Sequence, residues 1–517
     1  MNHLAFLFLL VVATVARAAS PLPPPNIVVI LADDLGIGDV SCYNPQSAWQ
    51  TPQLDRLARE GLRFTDAHAA SSLCTPSRYA LLTGRYAWRG KLKQGVLQGY
   101  GADLIEPTRP TVAGLLRDHG YTTAVFGKWH LGLDWVRTGP QPENVDFARP
   151  FSGGPLAHGF DRFCGISASL DMPPYVWLAQ DRATTVPTDT IGDSPAPKLW
   201  RGGPIAADFK MEDVQPRLTA TAVDYIAKRS AARDGKSFFL FLPLAAPHTP
   251  ILPTPAFAGK TGVTGYGDFV TQVDADVGAI MDALEKHGLA HNTLVIFSSD
   301  NGFAPAADVP LHARAHHDPS AGYRGYKSDL FEGGHRIPFI VRWPATIAPG
   351  RTASDLVGQL DLFATAAALV GTTPSGDAAE DSISFLPILR GTATAPGART
   401  TFIAHSAEGR FAIREGKWKL LLWPGSGGWS SPTPAPSQWL KVERTDLATL
   451  PPFQLYDVAA DPAETKNLAA NHPEIVQRLG RLLRADIERG RSTPGPAQLF
   501  TRDPAWTQLG WFASFAP

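Results

Sequence analysis

The sequence predicts an α/β fold: a large, mostly parallel sheet flanked by helices, followed by a smaller α+β part with a short antiparallel sheet. Three observations point there. Uninterrupted apolar runs recur along the first four hundred residues, as expected of strands buried on both faces. Segments with helical apolar spacing lie between them. Near residue 395 the pattern changes to short strands separated by turns, then one amphipathic helix.

The apolar runs are Asn26–Ala32, Thr122–Phe126, Ser237–Leu242, Thr293–Ser298 and Pro338–Arg342, all read as strands of the parallel sheet. Pro52–Glu60 carries Leu54, Leu57 and Ala58 on one helical face, and Thr111–His119 carries Val112, Leu115 and Leu116. Leu218–Ser230 and Phe269–His287 show the same spacing, with Gly288 placed to end the second helix. After the change, Thr401–Ala404, Arg410–Arg414 and Trp418–Leu422 read as a meander, and Glu474–Glu488 as a helix presenting Ile475, Leu479, Leu482 and Leu483. Segments 185–205 and 424–437 are rich in Pro, Gly and Ser and read as surface loops. The expected division is residues 1–18 as a signal peptide, 24–395 as a catalytic domain and 396–517 as a C-terminal α+β subdomain.

The leader reading rests on a short apolar run, residues 4–16, followed by Ala16-Arg17-Ala18, a small-residue cleavage pattern. The run is short for a membrane span, and no later stretch is long and apolar enough for one. The expectation is an exported protein, periplasmic or secreted, free of the membrane after cleavage. Three cysteines (Cys42, Cys74, Cys164) in 517 residues do not make a disulfide scaffold. There is no Asn-x-Ser/Thr acceptor, which leans toward a bacterial source. Lys and Arg number 47 against 48 Asp and Glu, so charge gives no reason to expect nucleic acid or an acidic membrane as partner.

Ligands in open α/β sheets bind beyond the carboxyl ends of the strands. Here those ends carry chemistry. Asn26–Ala32 runs into Asp33-Asp34, Thr122–Phe126 into Gly127-Lys128-Trp129-His130, Ser237–Leu242 toward Pro247-His248, and Thr293–Ser298 into Asp300-Asn301. Taken singly, an Asp pair is usually a cap or a solvated turn, and a lysine is usually a surface charge. Together, Asp33, Asp34, Asp300 and Asn301 form an all-oxygen set that suits Ca²⁺ or Mg²⁺. Arg78, Lys128 and Lys327 would offset three carboxylates and hold an anionic substrate. These residue types suggest metal-assisted hydrolysis of an anionic ester. His312, His316 and His317 are irregularly spaced and read as a surface cluster, with a role at the substrate rim open to one of them.

Cys74 lies in Cys74-Thr75-Pro76-Ser77-Arg78, followed by Leu82-Thr83-Gly84-Arg85. This resembles the signature of the formylglycine-dependent (type I) sulfatases of the alkaline phosphatase superfamily, in particular arylsulfatases and N-acetylgalactosamine sulfatases. The resemblance extends over Asn26–Gly36, Gly127–Gly132, Ala246–His248, Ser299–Gly302, Lys327–Gly334, Leu455–Asp457 and Asp461-Pro462. It implies that Cys74 is oxidised to Cα-formylglycine by a separate maturation enzyme. It also implies that Ca²⁺ is held by Asp33, Asp34, Asp300, Asn301 and the modified residue 74. On the same basis one hydroxyl of the hydrated aldehyde attacks sulfur and the second expels sulfate. His248 would protonate the leaving alcohol, His130 would act as base in the elimination, and Asp300 could accept the attacking hydroxyl's proton. Arg78, Lys128 and Lys327 would bind sulfate, and Ser169 would contact residue 74. The implied substrate is a carbohydrate sulfate, of galactose or N-acetylgalactosamine type, or an aryl sulfate. Trp88, Trp129, Trp135 and Trp177 flank these motifs and could face sugar rings or simply pack. The rival readings are a formylglycine-dependent phosphonate or phosphate ester hydrolase, which Asn301 disfavours, and an inactive exported glycan-binding pseudoenzyme.

Overall fold

The computed structural model describes residues 23–195, 198–392, 398–437, 439–498 and 506–515. The proposed leader, residues 1–18, lies outside them. A ten-stranded sheet forms the centre. From one edge its order is Arg351–Ala353, Leu62–Phe64, Phe339–Arg342, Thr293–Ser299, Asn26–Asp33, Phe238–Pro247, Thr122–Lys128, Arg162–Ile166, Leu178–Ala179 and Arg182–Ala183. The five strands from Thr293–Ser299 to Arg162–Ile166 are parallel neighbours.

All five apolar runs form strands of this sheet. One direction differs from the expectation: Phe339–Arg342 runs antiparallel to Thr293–Ser299 and to Leu62–Phe64. Apolar composition reports burial on both faces, which an antiparallel strand inside the sheet shares, so it cannot report direction. The Phe238–Pro247 strand also continues past Pro243. Its pairing with Asn26–Asp33 becomes irregular between Leu31 and Asp33, which accommodates the prolines and brings Pro247 beside Asp33.

Helices cover the sheet at Pro52–Arg59, Val112–Asp118, Val214–Ala232 and Gly265–Lys286. The first buries Leu54 and Leu57 completely, worth about 1.5–3 kcal/mol for each such side chain. The last begins at Thr264, whose side chain accepts from the Gly267 amide, and Gly288 follows its end at φ +69°.

The C-terminal meander is a four-stranded antiparallel sheet: Thr401–His405, Phe411–Glu415, Trp418–Leu421 and Gln454–Asp457. Helix Pro473–Glu488 packs on it through Val476, Leu479 and Leu483. Their apolar cluster also takes Tyr86, Trp88, Leu330, Phe331 and Leu360 from the earlier chain. A buried ionic knot crosses the same boundary. Lys419 Nζ lies 3.0 Å from Glu332 and 2.9 Å from Glu464, and Arg336 Nε lies 2.8 Å from Glu332.

Candidate active site

Parallel strands in register end at the same edge of the sheet, which is how residues far apart in sequence meet here. Ala32 is level with Ser299, and Asp33 with Pro247. Asp33, Asp34, Lys128, Asp300 and Asn301 are all buried at that edge. Gly127 permits the approach, because a Cβ there would lie 1.9 Å from the Pro243 carbonyl oxygen of the adjacent strand.

Helix Cys74–Thr83 points its N-terminus at this edge, with Cys74 as its first residue. Arg78 lies one turn later on the same face, which explains the four-residue spacing of the motif. The helix ends at Gly84, in the left-handed conformation at φ +65° and tight against Ala379. Three hydrogen bonds hold the turn before Cys74. Ser72 N donates to His405 O, Ser71 Oγ donates to the same carbonyl, and Ser328 N donates to Ser72 O.

The charges form a closed set. Lys128 Nζ lies 2.6 Å from Asp33 Oδ2. Arg78 Nε donates to Asp300 Oδ2 at 2.9 Å, and its NH1 donates to the Lys128 carbonyl. Lys327 Nζ grips both oxygens of Asp34, at 2.6 and 2.8 Å. Asp300 Oδ1 accepts from the Asp34 amide. Three carboxylates thus meet three cations. Burial alone would raise Asp33, but Lys128, His248 and Arg78 override it and hold that carboxyl below its ordinary value. Asp34 is likewise held low against its burial, chiefly by Lys327. Burial and the neighbouring Asp33 carboxylate push Asp300 up. Burial would lower Lys327, yet the Asp34 carboxylate holds it above its ordinary value.

The donor set fits a hard divalent cation. Asp33 Oδ1 and Asn301 Oδ1 are buried with no hydrogen-bond partner among the described residues, a costly state for a carboxylate and an amide oxygen. Ligand atoms of Asp33, Asp34, Cys74 and His248 lie within 4.8 Å of one another. A dication here would also relieve the repulsion between Asp33 and Asp300.

The two histidines present different faces. His130 Nε2–H donates to Leu97 O at 2.8 Å, and its Nδ1 is buried without a partner. Burial, then Lys128 and Arg78, push this imidazole well below its ordinary value, so it is neutral with a free acceptor nitrogen. His248 Nδ1–H donates to the Thr249 carbonyl, which turns Nε2 toward Asp34 Oδ2 at 3.4 Å. A cavity of about 320 Å³ opens onto Cys74, His248, Lys327, Asp34 and Ser169, and the Ser169 hydroxyl is buried without a partner. Burial pushes the Cys74 thiol up to about 11, with Lys128 and Lys327 offsetting only part of the effect. At neutral pH the unmodified side chain is therefore a protonated thiol and a weak nucleophile.

Asp33, Asp34, Cys74, Arg78, Lys128, His130, Ser169, His248, Asp300, Asn301 and Lys327 lie around this centre. The chain around it resolves into a known family. The Sulfatase family model matches residues 25–372. This chain belongs to the sulfatase family. The sulfatase is 36% identical to an N-acetylgalactosamine-6-O-sulfatase of Bacteroides thetaiotaomicron over 89% of this chain and 92% of that one. It is also 36% identical to human arylsulfatase A, over 93% and 92% of the two chains. A structure solved in work on glycosaminoglycan metabolism by Bacteroides thetaiotaomicron superposes with a TM-score of 0.77 at 35% identity, covering 89% of this chain and 98% of that one.

Some expectations about the rim are corrected. His312 and His317 are not at the surface. His317 Nε2 lies 2.8 Å from Asp39 Oδ1 beneath Trp49, and His312 is wholly buried; only His316 is exposed. Trp88, Trp129, Trp135 and Trp177 are buried packing residues. The tryptophans that line the catalytic cavity are Trp429 and Trp439, which the sequence reading passed over. Segments 185–205 and 424–437 are not simply surface loops. The first carries a small antiparallel pair, Asp189–Ile191 with Gly203–Ile205, and the second buries Ser426 and Thr433 while bringing Trp429 to the cavity.

Proposed function

We propose that this sulfatase removes sulfate from a carbohydrate, on a sugar of galactose or N-acetylgalactosamine type, using residue 74 as formylglycine and a bound Ca²⁺. The supporting observation is the cavity in which Cys74, His248, Ser169 and Lys327 share one wall above three paired carboxylates and cations. The sugar assignment draws on the similarity to the N-acetylgalactosamine-6-O-sulfatase. Residues 24–395 then form the catalytic part, residues 396–517 close it, and residues 1–18 direct export.

Asp33, Asp34, Asp300 and Asn301 would hold the cation, whose charge would make a hydroxyl of residue 74 more acidic and polarise a sulfate oxygen. As hydrated formylglycine, residue 74 would offer one hydroxyl to displace the sugar oxygen from sulfur and a second whose deprotonation would let sulfate leave as the aldehyde reforms. The remaining work falls to side chains already in place. Lys128, Lys327 and Arg78 sit in a water-poor centre, where fixed cations stabilise charge on sulfate without reorganising. His248 Nε2 faces the cavity and would deliver a proton to the departing sugar oxygen. Neutral His130, with Nδ1 free, suits the base role. Ser169 Oγ lacks a partner and can donate to residue 74 or to substrate.

Residue 74 lies in the tryptic peptide 64–78. In active enzyme that peptide should lose sulfur and two hydrogens and gain one oxygen, as aldehyde replaces thiol. An intact thiol in fully active enzyme would refute the proposal.

A further inference from the structure

The catalytic cavity continues into a second, larger groove. This groove has a volume of about 720 Å³ and shares Gly95 and Ala407 with the catalytic cavity. Gly95 N donates to Ala407 O at 3.0 Å, so one backbone bridge forms the saddle between the two spaces. Gly95 has φ +69°, and a Cβ built on it would meet nothing within 4 Å, so the saddle is bare. Beyond it, the Arg410 guanidinium lies 3.5 Å over the Trp423 ring. Arg410 Nε and Trp423 Nε1 are buried donors with no hydrogen-bond partner among the described residues. Arg444 is exposed on the facing loop and makes no ion pair among the described residues. Of the acidic groups among its described residues, Asp446 caps its own turn through the Ala448 amide, and Glu408 lies 4.0 Å from Arg410. Gln94 and Gln508 complete the wall, bonded to one another at 2.6 Å.

We propose that this groove binds the next units of an acidic oligosaccharide whose terminal sulfated sugar occupies the catalytic cavity. This groove assignment rests on the carbohydrate reading above and deepens it. Planar guanidinium on an aromatic face, unfilled N–H donors and amide side chains are the chemistry that recognises sugar hydroxyls and carboxylates. Continuity across the Gly95 saddle makes the occupant a chain, because a single sugar would fill the smaller cavity alone. The groove is built largely from the C-terminal part, which gives that part a role in substrate choice.

The test compares two substrates of the matured enzyme. One is 6-sulfated N-acetylgalactosamine; the other is a uronate-containing tetrasaccharide with that sugar at its non-reducing end. The tetrasaccharide should show kcat/KM higher by about tenfold or more, and Arg444→Ala or Arg410→Gln should remove most of that advantage through KM while leaving the monosaccharide within about twofold. Reducing the uronates to alcohols should have the same effect on the unmutated enzyme. Equal kcat/KM for both substrates, or variants that depress both alike, would overturn the groove assignment and leave the substrate reading standing. If neither substrate is cleaved while another sulfated sugar is, the sugar assignment fails instead. The same comparison with a monosaccharide and a tetrasaccharide of that other sugar then decides the groove, and an advantage that survives both variants overturns it.

Discussion

Replacing Lys419 with Met should destabilise the protein strongly, and more so at alkaline than at mildly acidic pH. Lys419 Nζ is buried between Glu332 and Glu464, at 3.0 and 2.9 Å. The Glu332 amide also donates to Glu464 Oε2 at 2.7 Å, so the two acids are held together. Methionine fills similar space but leaves two buried carboxylates, of which Glu332 keeps Arg336 and Glu464 keeps no cation among the described residues, a loss of about 3–5 kcal/mol when both are ionised. Burial pushes Glu464 up to about 7 even with Lys419 present, and Glu332 is held well below its ordinary value by Lys419 and Arg336 against its burial. The sign follows. For Glu464, with its folded value raised, the stabilising effect is complete below its unfolded value and disappears as pH rises through about 7. In the variant this carboxyl can take a proton at pH 5.5 and relieve the repulsion, but not at pH 8.5. With an unfolding entropy of about 1 kcal/mol/K for a cooperative unit near 500 residues, the Tm should fall by about 3–5 °C at pH 8.5 and about half that at pH 5.5. Calorimetry at the two pH values reads this directly. An equal fall at both, or a fall below 1 °C, would refute the account of the knot.

Cys74→Ala should lower kcat for sulfate ester hydrolysis by at least about 10³-fold with the fold intact, checked by turnover and circular dichroism. His248→Asn should cost about 10²–10⁴-fold on a sugar sulfate but far less on an aryl sulfate whose leaving group needs no proton; equal losses on both would remove His248 from the acid role. Chelation followed by Ca²⁺ at 100 times its Kd should restore activity and return about 2.7 kcal/mol of stability, and Asn301→Leu should weaken that return in a thermal scan.

The centre was legible in the sequence because parallel strands present their carboxyl ends together, so chemistry written at four separate ends could be read as one place. The short flanking strands Leu62–Phe64 and Arg351–Ala353 were not, because three residues carry no periodicity. His317 was misread since its partner, Asp39, lies 278 residues away. Trp429 and Trp439 were missed for a related reason: they sit in Pro- and Gly-rich chain whose path is set by contacts such as Ser430 with Asp329, not by local pattern.

The sheet order also imposes a timetable. Strand Asn26–Asp33 precedes in sequence both strands it pairs with, Phe238–Pro247 and Thr293–Ser299, and Asp34 awaits Lys327. Such long-range closure is slow. In the finished protein Cys74 is 2% exposed, and the strand that pins its turn, ending at His405, is made more than three hundred residues later. An enzyme that oxidises Cys74, as proposed above, would therefore need to reach it before this closure is complete.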